Sequence, residues 1–178
     1  MGVKPMVIVI SGPPGSGKTT LAHRVAAAVG CPAICRDEIK EGMVHATPAF
    51  VAGPADPLSI RTLATFFDVI GLLISRGTTV VAEAAFQDRL WRPGLAPLAE
   101  SADIRIIHCT VSPEVAHARI TSRAASNPLR KAHEDGERPA ETRLTSFDPI
   151  SLPVPTLTVD TTEGYSPALP EITTFLTR

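Results

Sequence analysis

Gly12, Pro13, Pro14, Gly15, Ser16, Gly17, Lys18 and Thr19 follow the spacing glycine, four residues of any kind, glycine, lysine, then serine or threonine. Such a loop turns successive backbone N–H groups inward around a phosphate. The lysine reaches the β- and γ-oxygens of a triphosphate, and the hydroxyl of Thr19 is offered to Mg²⁺. Thr20 completes the candidate nucleotide-binding set. The flanks fit: an apolar run, Met6 to Ile10, precedes the loop, and Leu21 to Val29, a helix-forming stretch ending at Gly30, follows it. Strand, glycine-rich loop and helix together predict a nucleoside triphosphate site, with ATP and Mg²⁺ as the expected cofactors.

A second group of residues carries chemistry that a triphosphate alone does not need. Arg36, Asp37 and Lys40 follow the second apolar run, at the edge of an α/β sheet where ligands bind. Asp37 is a candidate general base toward an acceptor hydroxyl, or a helix N-cap. Lys40, one turn on, either faces the same cleft and binds an acceptor anion or is solvated. Glu83 ends a Val-Val-Ala run, so its carboxylate is a candidate for the Mg²⁺ water shell, for the acceptor hydroxyl, or for a plain strand-end pair. Arg119 and Arg123, four apart on a predicted helix, share one face. They are candidates to hold the γ-phosphoryl oxygens, with stacking on adenine as the other role open to Arg119.

Alternating strand and helix signals must place these residues. Strands are predicted at Met6–Ile10, Pro32–Arg36, Thr78–Ala82, Ile104–Val111 and Pro155–Asp160. Helices are predicted at Leu21–Val29, Asp37–His45, from Asp56-Pro57 to Gly77, over Gln87–Glu100 with breaks at Pro93 and Pro97, from Ser112-Pro113 to Ala125, and from Ser166-Pro167 onward. Leu63, Phe66, Phe67, Ile70, Leu73 and Ile74 form one apolar stripe on the third of them. The pattern predicts a single α/β domain over residues 1–178, with five parallel strands covered on both faces. The polar stretch at about 126–138 is expected to act as a lid.

With 178 residues, 44% hydrophobic and 20% charged, the chain has a globular composition, and its net charge of −1 gives no general attraction to nucleic acid or anionic membrane. The expected location is cytoplasmic, because no signal-like start and no apolar run near 18 residues is read. Cys31, Cys35 and Cys109 are expected to be reduced, since Cys31 and Cys35 lack CxxC spacing and have no metal-type ligands near them in sequence. His108 and Trp91 are assigned to structure. No guanine-reading Asn-Lys-x-Asp occurs, and an AAA+ motor would need a further helical subdomain for which the length leaves no room.

Lys18-Thr19, Arg36-Asp37-x-x-Lys40, an acid ending the third strand and Arg119-x-x-x-Arg123 together resemble the P-loop kinases grouped around polynucleotide 5'-hydroxyl kinase, chloramphenicol phosphotransferase and the zeta-toxin-like enzymes. The resemblance runs through most of the chain, and only the P-loop is highly specific. It implies a sheet ordered 2-3-1-4-5, a base at Asp37, and phosphate clamping by Arg119 and Arg123. The Arg-Asp pair is closest to the polynucleotide kinase pattern, in which a second arginine stands where this chain has Lys40. The expectation is a kinase that phosphorylates a hydroxyl of a small molecule. The alternatives are a 5'-hydroxyl polynucleotide acceptor and a nucleotide-binding switch or ATPase without an acceptor.

Overall fold

A computed structural model describes residues 4–53, 56–126, 142 and 145–177. Five strands form the sheet: β1 (Met6–Ser11), β2 (Ala33–Cys35), β3 (Val80–Ala84), β4 (Asp103–Thr110) and β5 (Thr156–Asp160). Their order is β2-β3-β1-β4-β5 and every pairing is parallel, the order implied by the resemblance. The helices that pack on the sheet are α1 (Lys18–Val29), α2 (Arg36–His45), α3 (Pro57–Ser75), α4 (Asp88–Leu95), α5 (Pro113–Ser126) and α6 (Leu169–Thr177), with a 3₁₀ turn over Ala96–Leu98 after the fourth. The expected lid falls almost entirely outside the described residues.

The strands are apolar on both sides because alternate residues serve two cores. Val7, Val9, Val80, Ala82, Ile104 and Ile106 face one side, under Phe66, Ile70, Ile74, Trp91 and Leu95 from α3 and α4. Ile8, Ile10, Val81, Ile107, Cys109 and Val159 face the other, under Leu21, Ala22 and Val25 of α1 and Ile172 and Leu176 of α6. Trp91 is fully buried and meets Phe66, Phe67 and Phe86 at centroid distances of 5.6, 5.9 and 5.4 Å, so its role is packing. Gly94 lies against the Phe67 ring closely enough that a Cβ there would sit within 2.5 Å of three of its atoms.

Most boundaries move by a residue or two, and three of the differences have a clear local reason. The third strand is Val80–Ala84, two residues later than read, because its register runs from Val7↔Val80 to Ser11↔Ala84 and carries Glu83 inside the ladder. The first helix starts at Lys18 instead of Leu21, with Gly17 at its N-cap in the left-handed region at φ 70°. The last helix starts at Leu169, because Ser166 is still exchanging backbone hydrogen bonds with Asp160 and Ala168 donates its N–H to the Glu171 carboxylate. In addition, the 19-residue α3 is long and apolar enough to cross a membrane, contrary to the sequence reading. It carries Arg61 and Asp68 and lays Phe66, Ile70 and Ile74 on the sheet.

Candidate functional site

Parity fixes the first contact of the site. Glu83 is the fourth residue of β3, opposite Ile10 of β1 and Cys35 of β2, on the face that α1 covers. The loop after β1 delivers α1 to that face with Lys18 and Thr19 in its first turn. The hydroxyl of Thr19 therefore donates to Glu83 Oε2 at 3.1 Å, and Lys18 Nζ lies 3.8 Å from Oε1. Burial pushes the Glu83 carboxyl above its ordinary value, Lys18 opposes that, and the charge of Asp37 adds to it. Two hard oxygens, a hydroxyl and a carboxylate, thus converge beside the P-loop lysine, a donor set that fits Mg²⁺.

The loop itself is shaped for an anion. Gly15 and Gly17 have φ of 83° and 70°, and a Cβ on Gly15 would sit 2.8 Å from the carbonyl oxygen of Ala116 in α5. Glycine is required there by both conformation and space. Among the described residues the buried Ser16 hydroxyl has no partner, and Lys18 Nζ reaches only the Pro13 carbonyl at 3.4 Å besides Glu83. An orphaned hydroxyl and a loosely held ammonium inside the loop fit a phosphate that would satisfy both.

Around the loop opens a cavity of about 620 Å³, lined by Lys18, Thr19, Thr20, Arg119, Arg123 and Tyr165 among others. Both arginines expected on one helix face are therefore in the same cavity as the P-loop. Arg119 is fixed there: it donates to the Thr161 carbonyl at 2.6 Å, to Thr161 Oγ1 at 3.1 Å and to the Gly15 carbonyl at 3.4 Å. These hydrogen bonds use the edge of the guanidinium plane and leave its flat face unengaged by them. Thr161 was not singled out from sequence, yet its buried hydroxyl also donates to the Ser16 carbonyl at 2.8 Å, tying the end of β5 to the P-loop. Tyr165, also missed, forms a wall with Arg24 over its ring at 5.5 Å. The signal available was position: both follow the carboxyl end of a strand, where ligands of parallel sheets bind.

On the other side of Glu83, Asp37 stands in the first turn of α2. Arg36 Nη1 donates to its Oδ1 at 3.1 Å, Arg36 Nη2 donates to Ser59 Oγ at 3.3 Å, and the guanidinium carbon lies 5.8 Å from the Phe86 ring centroid. The Asp37 side chain is 36% exposed against 14% for Arg36, so the carboxylate is oriented by its neighbour and partly accessible from solvent. Lys40 does not share that exposure. It is buried against Asp56, Nζ to Oδ2 2.9 Å, and sits 5.6 Å from the Phe50 ring centroid. Asp56 also caps α3 by accepting from Ser59 N and Oγ at 2.8 and 2.9 Å. Burial raises the Asp56 carboxyl, but Lys40 and Ser59 outweigh it and hold it below its ordinary value. Near this junction, Ala84 and Phe86 are buried in the core under α3, and the Met43 thioether sulfur accepts from Thr62 Oγ1 at 3.5 Å.

No curated protein matches the sequence. Among solved structures the chain is similar to an inferred kinase from Chloroflexus aurantiacus, at 23% identity and TM-score 0.81, over 90% of both chains. It is similar to a gluconokinase from Sinorhizobium meliloti, at 21% identity and TM-score 0.62, over 99% of this chain and 94% of that one. A chain of the Pnkp1/Rnl/Hen1 RNA repair complex matches at 19% identity and TM-score 0.60, over 86% of this chain and 49% of that one. At these identities the likeness shows the fold. The sequence profile of a family described as an AAA domain matches residues 7–147, most of the chain, although among the described residues only α6 follows β5 and no helical subdomain is appended. The chain belongs to that AAA-domain family.

Proposed function

We propose that the protein is an ATP- and Mg²⁺-dependent kinase that transfers the γ-phosphoryl group to a hydroxyl of a small molecule. The observation that carries this reading is the second carboxylate. Glu83 is committed to Thr19 and Lys18, while Asp37 is near enough for its charge to act on Glu83 and is partly exposed. A site that only bound or hydrolysed nucleotide has no need of that carboxylate.

In the proposed reaction the P-loop N–H groups and Lys18 bind the β- and γ-phosphates, and Thr19 and Glu83 would hold Mg²⁺. Bound there, Mg²⁺ would neutralise phosphate charge. The acceptor O–H gives its proton to the Asp37 carboxylate, its oxygen bonds to the γ-phosphorus, and ADP leaves with the electrons of the broken bond. Arg123 stabilises the charge spread over the transferred oxygens. The flat face of Arg119, held from below by Thr161, is suited to stacking on the base. Gluconokinase similarity over nearly the whole chain supports a small hydroxylated acceptor, as does the net charge of −1.

The test is incubation with ATP and a panel of small alcohols, sugars, antibiotics and 5'-hydroxyl oligonucleotides. A labelled acceptor is expected, with Asp37→Asn slowing transfer by roughly 10²- to 10⁴-fold while ATP affinity holds. No labelled acceptor, with slow hydrolysis unchanged in Asp37→Asn, would overturn the reading. A polynucleotide acceptor is the second reading, favoured by the Arg36–Asp37 contact and the likeness to an RNA repair chain. It requires binding that weakens steeply with salt, by a log-log slope near −0.7 for each phosphate contacted on a single strand.

A further inference from the structure

Outside the nucleotide site, three side chains of different chemistry meet where α1, β2 and α2 converge. His23 projects from the second turn of α1, Cys35 is the last residue of β2, and Glu38 lies in the first turn of α2. His23 Nε2 is 2.7 Å from Glu38 Oε1 and 3.8 Å from Cys35 Sγ, and one donor atom from each of the three lies within 4.8 Å of the others. We propose that His23 Nε2, Cys35 Sγ and the Glu38 carboxylate form a binding site for a borderline-soft divalent cation of the Zn²⁺ type, with a solvent molecule in the fourth position.

The geometry requires little movement. Ligand atoms about 2.0 to 2.3 Å from a tetrahedral Zn²⁺ stand about 3.3 to 3.7 Å from one another. The Cys35–His23 separation is already close to that. The His23–Glu38 contact must open by about 0.6 Å, which two half-exposed side chains can do; their side chains are 52% and 50% exposed. The same exposure gives an ion a route in from solvent, while Cys35, at 2%, supplies the buried ligand.

The electrostatics point the same way. The carboxylates of Glu83 and Glu38 both stand close enough to Cys35 for their charges to act on it. A thiol placed between an imidazole and two carboxylates lacks only positive charge. A dication supplies it: the thiol proton leaves to solvent, a metal–sulfur bond forms, and thiolate, carboxylate and M²⁺ sum to zero. Imidazole and thiolate also select against Mg²⁺, which prefers oxygen, so this site and the Thr19–Glu83 pair sort the two kinds of ion. A surface ion pair between His23 and Glu38 would have no use for the sulfur.

The test uses the full chain, without nucleotide and with excess Mg²⁺ to occupy oxygen-rich sites. Co²⁺ serves as the spectroscopic probe, and Zn²⁺ is titrated in competition with a chromophoric chelator. One equivalent should bind, with a thiolate-to-Co²⁺ charge-transfer band and release of protons. The band should vanish in Cys35→Ser and persist in Cys31→Ser, and His23→Ala and Glu38→Ala should each weaken Zn²⁺ by at least about 10-fold. A band retained in Cys35→Ser, no thiolate band in the wild type, or Zn²⁺ affinity unchanged in both His23→Ala and Glu38→Ala overturns the proposal. His23 and Glu38 are half-exposed, so their variants report on binding even if the buried Cys35 substitution disturbs the fold. None of these readouts depends on kinase activity, so the site and the proposed reaction stand or fall separately.

Discussion

Two arginines four residues apart are given different work by what holds them. Arg119 is pinned to Thr161 and to the Gly15 carbonyl before any ligand arrives, so its contribution to nucleotide binding is preorganised. Arg119→Ala should act mainly on KM for ATP. Arg123 lines the same cavity one turn on, and Arg123→Ala should lower kcat by about 10²-fold while ADP affinity changes little, because its contact strengthens as γ-phosphoryl charge redistributes. Steady-state kinetics with an ADP titration separates the two. If Arg123→Ala raises KM and leaves kcat untouched, it is a simple binding residue.

Glu83 offers a second measurement at this scale. Its carboxyl is raised in the folded protein, first by burial and then by Asp37, against the pull of Lys18. The folded state therefore holds the proton at a pH where the unfolded chain has lost it, so this group makes stability fall as pH rises from about 4.5 through the folded value. Glu83→Gln should flatten that part of the stability profile in chemical denaturation while abolishing Mg²⁺-dependent activity. A variant with the wild-type slope would show that the carboxylate is not held protonated.

Among elements, the junction of α2 and α3 decides where Asp37 stands. Lys40 from α2 and the N-cap Asp56 of α3 form a buried ion pair at 2.9 Å, with Ser59 completing the carboxylate's partners. Removing one member leaves the other charged and buried. Lys40→Ala should therefore destabilise the fold by about 3 to 5 kcal/mol, and Lys40→Met with Asp56→Leu should recover much of that loss. Were Lys40 an acceptor-binding residue, the single change would raise the acceptor KM and leave the unfolding midpoint in place. Denaturant unfolding together with kinetics distinguishes the cases.

For the whole molecule, the P-loop is tied to the far edge of the sheet through Thr161 and to α5 through Gly15. A ligand that fills this region binds only the folded chain. ATP with Mg²⁺ at about 100 times its Kd should raise stability by about 2.7 kcal/mol, readable as an upward shift in Tm. Gly15→Ala should remove the shift, because its Cβ meets the Ala116 backbone at 2.8 Å and the residue would hold a left-handed φ of 83°. An unaltered shift in that variant would place the nucleotide elsewhere.

The sequence by itself determined the nucleotide loop, the five-strand pattern and the pairing of Arg119 with Arg123, because each rests on local chemistry. Glycine spacing shapes a loop of eight residues, period-two and period-3.6 patterns follow from the backbone, and i, i+4 neighbours share a helix face. The partners of Lys40 and Arg119 were hidden because Asp56 and Thr161 are 16 and 42 residues away. Nothing local marks a lysine as facing inward. The contact of Glu83 with Thr19 needed the β1–β3 register, which shifted the strand by two residues and turned the carboxylate toward α1. The grouping of His23 with Cys35 and Glu38 is of the same kind. Cys35 has no metal-type ligand within the strand that carries it, and only the crossing of α1 over the end of β2 brings an imidazole to its sulfur. Tertiary structure decided these contacts because a parallel sheet draws its neighbours from distant parts of the chain, and pairing across it is fixed by global packing.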